Sequence, residues 1–384
     1  MADRIVLNTI SYHGHGAIEN IVPELTARGY KKAFVCSDPD LIKFGVTTKV
    51  TDLLDAAGFA YSVYSDIKPN PTIANVQDGV AAFKAAEADC IVTIGGGSSM
   101  DTAKGVNVLI NNPPPLMQYF GVQKNLRPGL PMVFVPTTAG TGSETTNMCV
   151  ISCVSQGKKD SIVSPVCVGS LAILDPELTM GLPPKATAMT GIDAFAHAVE
   201  SLTGGQANPL SDALARDAIR TITRWLPRAV ENGKDEAARE KMLEASFFAG
   251  MAFTNALVHL GHSIGHSIGA KFHVPHGLAC SFCLPEVIEY TARTEREKVE
   301  MICEAMGVSV PEGASWQEVG ALAKDAIRAL IKRVGLGNIQ DSGIPLDDLL
   351  KIAPMVTADT GFAILPYRIP ASRVAEMFRS AYSA

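Results

Sequence analysis

The chain has 384 residues, of which 47% are hydrophobic and 19% charged, so it can build a large core and is longer than one ordinary domain. Its net charge of -6 and its lack of any run rich in lysine or arginine exclude a basic surface for nucleic acid or an anionic membrane. Because no apolar stretch reaches about eighteen residues and the first residues lack the pattern of a secretory signal, we expect a soluble cytoplasmic protein.

The first half of the chain alternates strands with helices. Short apolar or β-branched runs predict strands at 31–38, 60–67, 88–97 and 131–138, and helical patterns at 41–57, 73–86 and 100–110 lie between them. This rhythm indicates parallel βαβ units, whose loops at the carboxyl ends of the strands form a ligand-binding edge. We therefore predict an α/β, dinucleotide-binding domain with a parallel Rossmann-like sheet at residues 1–182.

The second half is helical in pattern, with little strand signal. Helices are predicted at 186–202, 209–225, 236–255, 295–306, 316–334, 346–358 and 370–381, in addition to a histidine-rich helical stretch after residue 257. Pro183 and Pro184 mark the boundary between the alternating strand and helix patterns and the helical patterns. We predict an all-α, metal-binding and catalytic domain at residues 183–384.

Two loops of small residues follow predicted strands. Gly96, Gly97 and Ser98 stand between a strand and a helix, where glycines let a pyrophosphate approach the backbone and free helix N–H groups favour its negative charge. Thr137 and Thr138 begin a second loop, which adds hydroxyl and amide donors at the same sheet edge. We predict that both loops bind a dinucleotide, although the GxGxxG fingerprint is absent.

Two aspartates lie beside these loops. Asp38 ends the first predicted strand, where a carboxylate accepts hydrogen bonds from ribose hydroxyls and repels a 2′-phosphate, so NAD is favoured over NADP. The same residue can also cap the helix that follows. Asp101 lies three residues after Ser98 and either caps that helix or orients the glycine loop.

A histidine cluster indicates a metal site. Five of the eight histidines lie between residues 257 and 280. His262 and His266 are four apart and share one helical face, and Pro275 ends that helix so that His276 can turn back toward it. Three imidazoles without another ligand would be an incomplete site, so the remaining ligands are expected elsewhere.

Asp193 and His197 are the candidates for the remaining metal ligands. They are four apart in an alanine-rich stretch that favours a helix. Two facing helices can then bring Asp193, His197, His262 and His276 to one ion. A carboxylate oxygen with several imidazole nitrogens suits Fe(II), or alternatively Zn(II), and disfavours Mg²⁺ and Ca²⁺.

Glycines and cysteines of the same window have structural interpretations. Gly261, Gly265 and Gly269 form one helical stripe, which predicts a close neighbour, either a helix or the cofactor. Cys280 and Cys283 have CxxC spacing but lie in an apolar run, so we interpret them as packing residues in preference to a redox or zinc pair.

These motifs resemble the iron-containing (group III) alcohol dehydrogenase family over nearly the whole chain. The matching segments are SDPDLIKFGV, KPNPT, IGGGSSMDTAKG, PTTAGTGSE, ILDPELTMGLPP, TGIDAFAHAVE and the HxxxH…PHG pattern of the histidine window. The resemblance implies a dehydroquinate synthase-like architecture, and a homodimer or higher homo-oligomer. By position, the residues that resemble the family's metal ligands are Asp193, His197, His262 and His276.

The resemblance also carries over the cofactor contacts. Asp38 and Asn70 resemble the ribose contacts of the family. The residues that resemble its pyrophosphate and nicotinamide contacts are Gly96, Gly97, Ser98, Thr137 and Thr138. His266 resembles the histidine near the nicotinamide that is not a ligand, which implies either a proton relay or a hydrogen-bonding role behind the ligands.

The C-terminal part departs from the family pattern. Members usually carry a CTGxNPR-like segment beside the substrate pocket, whereas this chain has DTGFAILPYRIP from Asp359 onward. We predict that residues 359–362 and Phe253 line the substrate pocket, with a place in the core as the alternative for Phe253. The local sequence LGHSIGHSIGA is more similar to that of dehydroquinate synthases and glycerol dehydrogenases than to the usual VHxxxHxLG form.

The predicted function is that of an NAD-dependent, metal-assisted alcohol dehydrogenase or aldehyde reductase, which acts on small primary alcohols or diols by hydride transfer. A dehydroquinate synthase-like or glycerol dehydrogenase-like enzyme of the same fold is the alternative. The helical half lacks the basic cluster that a phosphorylated acidic substrate requires, which disfavours the synthase. A non-catalytic metal-binding protein is a more remote alternative, since both loops and all four ligands are present.

Overall fold

A computed structural model describes residues 4–154 and 158–384. They form two compact units, Val6–Gly181 and Leu182–Ala384, and the second also includes Arg4 and Ile5. Each unit has its own hydrophobic core.

The first unit contains two sheets. Its strands are β1 (Ile10–His13), β2 (Lys32–Cys36), β3 (Ala60–Tyr64), β4 (Cys90–Gly95), β5 (Gly121–Val122), β6 (Met132–Pro136), β7 (Met148–Cys153), β8 (Lys158–Val163) and β9 (Leu171–Leu174). Six of them form a wholly parallel sheet in the order β1-β9-β6-β4-β2-β3. The other three form a small mixed sheet, β5-β8-β7.

Helices cover both faces of the parallel sheet. They are α1 (Ile21–Ala27), α2 (Pro39–Lys43), α3 (Thr48–Ala56), α4 (Ile73–Ala86) and α5 (Gly97–Asn111). Strands β4 and β6 are buried at every position, as expected for apolar runs in the middle of a covered parallel sheet. Their side chains enter two separate clusters, one with Phe34 and Phe134 and one with Val35 and Ile94.

All regular secondary structure among the described residues of the second unit is helical. Its α-helices are α6 (Pro184–Thr203), α7 (Pro209–Glu231), α8 (Glu236–Ala256), α9 (Leu260–Phe272), α10 (His276–Ser281), α11 (Leu284–Thr291), α12 (Arg296–Ala305), α13 (Trp316–Arg333), α14 (Leu346–Lys351), α15 (Ala353–Val356) and α16 (Ala371–Ala381). Within the described ranges, no helix combines the length and apolarity that crossing a membrane requires.

The fold class predicted from sequence is confirmed, with local corrections. The predicted helix at 41–57 is two helices, α2 and α3, because the chain turns at Gly45 with φ 70°. The predicted helix at 346–358 is likewise divided into α14 and α15. The strands of the small mixed sheet were not predicted.

Candidate metal and cofactor sites

The predicted cofactor residues follow three neighbouring strands of the parallel sheet. Strands β2, β4 and β6 lie side by side and point the same way, so their carboxyl ends meet at one edge. Asp38 follows β2, Gly96–Ser98 follow β4, and Thr137 and Thr138 follow β6. This is the edge at which doubly wound sheets bind nucleotides.

The two small-residue loops contact each other at the start of α5. The Thr137 N–H donates to the Gly95 carbonyl at 3.1 Å. A Cβ placed on Gly97 would lie 2.9 Å from the Thr141 side chain, and one on Gly96 would lie 3.4 Å from Thr138. Since no side chain caps the N-terminus of α5, its first N–H groups suit an anion such as pyrophosphate.

Asp38 caps the next helix while keeping one oxygen for other partners. Its Oδ1 accepts from the N–H groups of Asp40 (3.1 Å) and Leu41 (3.0 Å) at the start of α2. The predicted capping role is therefore present, and a ribose contact through Oδ2 is compatible with it.

Asn70 follows the neighbouring strand β3 in a left-handed conformation, with φ 57°. Its Oδ1 accepts from Lys159 Nζ at 2.6 Å, and its carbonyl accepts from Ser152 Oγ at 3.3 Å. The small mixed sheet thus holds Asn70 in place. These contacts were not predicted from the sequence, which indicated only a ribose contact for Asn70.

A buried lysine that was not predicted as a site residue organises the second loop. Lys104 in α5 is fully buried, and its Nζ donates to oxygen atoms of Ser143, Thr146 and Met148 at 2.7–3.1 Å. Asp101 lies nearby and accepts from Ser143 Oγ at 3.2 Å, so it orients this loop. Burial raises the pKa of Asp101 to about 6, although Lys104 opposes the shift.

The second unit brings three of the four predicted metal ligands together. Ligand atoms of Asp193, His262, His276 and Cys280 all lie within 4.8 Å of one another. Asp193 Oδ1 is 3.5 Å from His276 Nε2 and 3.8 Å from His262 Nε2. The helices α6, α9 and α10 supply these groups.

The protonation states of these residues suit metal binding. Burial raises the pKa of Asp193, but the surrounding histidines lower it by more. The resulting pKa lies below the ordinary value of an aspartate, which favours the ionised carboxylate. Burial lowers the pKa of His262 well below its ordinary value, which favours the neutral imidazole. A carboxylate and a neutral imidazole are the forms that bind divalent metals.

His197 lies beside this cluster. Its ring stacks on that of His262 with centroids 4.6 Å apart, and on its other side stacks on Phe253, also at 4.6 Å. Its buried Nδ1 has no hydrogen-bond partner among the described residues, and the same is true of Asp193 Oδ1 and His262 Nε2. Phe253, predicted as a pocket wall, is buried and supports His197.

Three buried polar atoms without partners are costly unless a ligand satisfies them. A divalent ion accepts lone pairs from a carboxylate oxygen and an imidazole nitrogen at once, and Asp193 Oδ1 and His262 Nε2 lie 3.8 Å apart in the cluster. The residues therefore fit the predicted metal.

Glu200 fixes the orientation of His262 and was not predicted. It lies on the same face of α6 as Asp193 and His197, seven and three residues further along the helix. Its fully buried carboxylate accepts from His262 Nδ1, and from the N–H groups of Gly261 (2.5 Å) and His262 (3.1 Å). With Nδ1 occupied, His262 presents Nε2 toward Asp193. The i, i+4, i+7 spacing was the available sequence signal.

Helices lie close to two of the three glycines of the predicted stripe, Gly261 and Gly265. A Cβ on Gly261 would lie 2.8 Å from Glu200 Oε1, and one on Gly265 would lie 2.5 Å from Cys280 Sγ. Close approach of α9 to α6 and α10 is therefore what these glycines permit. Cys280 packs here as predicted, yet its sulfur also lies in the metal-ligand cluster, which the packing interpretation missed.

His266, the predicted proton relay, is part-exposed next to the cluster. Its ring is 5.5 Å from that of His276 and 6.1 Å from that of His262. Its Nδ1 is 3.1 Å from Asp359 Oδ2, so the segment that departs from the family pattern reaches this histidine.

Comparison with known proteins identifies the family. The model of iron-containing alcohol dehydrogenase matches residues 8–176, and the model of the C-terminal part of the Fe-containing alcohol dehydrogenase family matches residues 187–382. The chain belongs to the iron-containing alcohol dehydrogenase family. It is therefore an oxidoreductase that acts on CH–OH groups, and the match of both models disfavours the synthase-like and non-catalytic alternatives.

Similar proteins span the whole chain. Lactaldehyde reductase of Escherichia coli (strain K12) is 36% identical over 100% of both chains. Sulfoacetaldehyde reductase of Bilophila wadsworthia is 38% identical over 88% of each. The crystal structure of a 1,3-propanediol oxidoreductase superposes over 100% of both chains with a TM-score of 0.95 and 36% identity.

The cofactors predicted from the sequence are confirmed at the level of this family. Its description names iron. A sulfoacetaldehyde reductase from Bifidobacterium kashiwanohense, solved in complex with NAD⁺, covers 100% of both chains with a TM-score of 0.88 and 29% identity.

Proposed function

We propose that this iron-containing alcohol dehydrogenase interconverts small, uncharged primary alcohols or diols and their aldehydes with NAD. Asp193, His197, His262 and His276 hold Fe(II). The observation that carries the proposal is the cluster of ligand atoms from Asp193, His262 and His276, in which Asp193 Oδ1 and His262 Nε2 are buried and have no hydrogen-bond partners in the described residues.

The residues have distinct roles in this reaction. When bound, Fe(II) supplies a Lewis acid that lowers the pKa of an alcohol hydroxyl, and NAD supplies the hydride acceptor. Glu200 holds His262 in the tautomer that offers Nε2. His266 accepts the alcohol proton during oxidation and returns it during reduction.

Cofactor binding is assigned to residues 1–182 and metal binding to residues 183–384. In the first, Gly96, Gly97, Ser98, Thr137 and Thr138 bind the phosphates and nicotinamide. Asp38 and Asn70 bind the ribose, and Asp101 supports the loop. The loops that follow β2, β4 and β6 lie at one edge of the sheet, which supports this assignment.

The charge of the site supports an uncharged substrate. The carboxyl groups of Asp193, Glu200 and Asp359 face histidine rings, and none of them pairs with lysine or arginine in the described residues. With no lysine or arginine beside these carboxyl groups, an anionic aldehyde has no counter-charge there and meets unfavourable Coulomb energy. Lactaldehyde and propanediols are thus better substrates than sulfoacetaldehyde.

A substrate panel tests this proposal. Protein loaded anaerobically with Fe(II) is assayed with NAD(H) on lactaldehyde, 1,2- and 1,3-propanediol, ethanol and sulfoacetaldehyde. We expect kcat/KM for lactaldehyde to exceed that for sulfoacetaldehyde at least about tenfold, which corresponds to about 1.4 kcal/mol. Comparable values for the two aldehydes would refute the charge argument, and absence of NAD(H)-linked turnover on every compound would refute the function.

We also infer that the enzyme is cytoplasmic and forms a homodimer or higher homo-oligomer, as the family resemblance implies. Small-angle scattering or light scattering of the purified protein gives its mass. A mass equal to that of a single 40.6 kDa chain would contradict this inference.

A further inference from the structure

Asp359 occupies the place where the sequence departs from the family pattern, and its two oxygens have different partners. It follows α15 and caps the short 3-10 helix Thr360–Ile364. Oδ1 accepts from the Gly361 N–H at 2.9 Å and from Ser263 Oγ at 3.0 Å. Oδ2 faces His266 Nδ1 at 3.1 Å. Capping therefore uses one oxygen and leaves the other for the histidine.

This arrangement fixes the carboxylate. The Gly361 N–H of the 3-10 helix holds Oδ1, and Ser263 Oγ of α9 lies close to Oδ1 while also facing the His259 carbonyl at 3.1 Å, so Oδ2 cannot turn away without disturbing these contacts. The side chain is only 18% exposed. Burial raises the pKa of Asp359, but the bonds from His266, Gly361 and Ser263 lower it to about 2, so the group remains an acceptor at neutral pH.

The consequence for His266 is a defined tautomer. An ionised carboxylate has no proton to donate, so the hydrogen bond requires the proton on Nδ1. In the neutral imidazole the lone pair then lies on Nε2. The ring also stacks against His276, at 15° between planes, which limits its rotation.

We propose that Asp359 is a positioning residue for His266, which it holds in the Nδ1-protonated tautomer so that Nε2 is the proton acceptor in alcohol oxidation. The inference rests on the proposed function. In that reaction the O–H bond breaks and its proton goes to Nε2, while the C–H hydrogen leaves with both electrons as hydride to NAD⁺. Aldehyde reduction reverses both transfers.

Two variants separate the proposed role from simple capping. Asp359→Ser keeps an oxygen that caps the 3-10 helix but is too short to reach His266. Ser263→Ala removes one anchor of Oδ1 and keeps the bond between the carboxylate and the histidine. We expect kcat for alcohol oxidation to fall about 10- to 100-fold in Asp359→Ser, the usual range for residues that orient a functional histidine. KM should change less than about threefold, and Ser263→Ala should lose much less kcat.

The tautomer is measured directly, independently of turnover. Long-range ¹H–¹⁵N spectra of Zn(II)-loaded, NAD-bound protein report which ring nitrogen carries the proton, with the His266 signals assigned through His266→Asn. We expect a protonated Nδ1 in the wild type and a mixture of tautomers in Asp359→Ser. A wild-type His266 protonated on Nε2 would overturn the proposal, as would an Asp359→Ser variant with unchanged tautomer and kcat.

The outcomes distinguish this inference from the proposed function. If the wild type oxidises no alcohol, the function fails, while the spectra still test Asp359. If the wild type is active and His266→Asn is equally active, proton transfer through His266 is refuted, and the positioning role of Asp359 with it.

Discussion

Glu200 fixes the orientation of His262, one of the proposed metal ligands. Its carboxylate is fully buried and accepts three hydrogen bonds from α9, one from the imidazole and two from the backbone. Glu200→Gln retains the size but adds amide protons that oppose the donors of His262 and Gly261. We expect Fe(II) or Zn(II) affinity to fall about 10- to 100-fold in a chelator-competition titration.

The exposed residue Glu231, at the end of α7, provides the matched control. Glu231→Gln should bind metal as the wild type does. Equal affinities in Glu200→Gln and wild type would show that His262 is oriented without this carboxylate.

Asp38 combines capping of α2 with the predicted contact to the ribose. Asp38→Ser keeps a capping oxygen and removes the negative charge. Because the charge opposes a 2′-phosphate, we expect the kcat/KM ratio of NADP to NAD to rise at least about tenfold. The neighbouring variant Asp40→Ser should leave the ratio unchanged, and an unchanged ratio in Asp38→Ser would limit Asp38 to capping.

The geometry of the proposed metal ligands depends on how closely α10 approaches α6. Gly277, next to His276, has no room for a side chain, because a Cβ there would overlap the Met189 carbonyl oxygen. We expect Gly277→Ala to push α10 away and to destabilise the protein by about 1–3 kcal/mol. Metal affinity should fall with it, since His276 moves with the helix.

Gly269 of α9 is the control for this prediction. A Cβ there would meet only the Val274 carbonyl oxygen at 3.5 Å, an ordinary contact. Alanine favours a helix by about 1 kcal/mol relative to glycine, so Gly269→Ala should be neutral or stabilising in urea denaturation. Equal stability and metal affinity of Gly277→Ala and wild type would contradict the close approach.

At the scale of the whole molecule, local sequence patterns predicted the elements that repeat or carry strong signals. The buried run of β4 and the long amphipathic helix α13 are examples, since period and capping residues are visible in the chain. The small mixed sheet was missed because β7 and β8 depend on pairing with each other. A break such as that at Gly45 is likewise decided by tertiary context.

Site residues were likewise predicted where local sequence patterns reveal them and missed where long-range contacts define them. Clustered histidines and the spacing of Asp193 and His197 pointed to a metal, because ligands on one helical face are visible in sequence. The α9 partners of Glu200 and Asp359 lie 61 to 62 and 93 to 96 residues away in the chain, so only the fold reveals them. Lys104 likewise gains its role from acceptors 39 to 44 residues downstream.

We propose that Asp193, His197, His262 and His276 hold an ion that alcohol oxidation with NAD requires. The most direct measurement is turnover of 1,2-propanediol as a function of bound Fe(II), in the wild type and in the double variant Asp193→Ala/His276→Ala. We expect wild-type turnover to rise in proportion to bound iron up to one ion per chain and to disappear on chelation, while the double variant binds no tight iron and loses turnover by orders of magnitude. Undiminished turnover after chelation, or one tightly bound iron in the double variant, would contradict it.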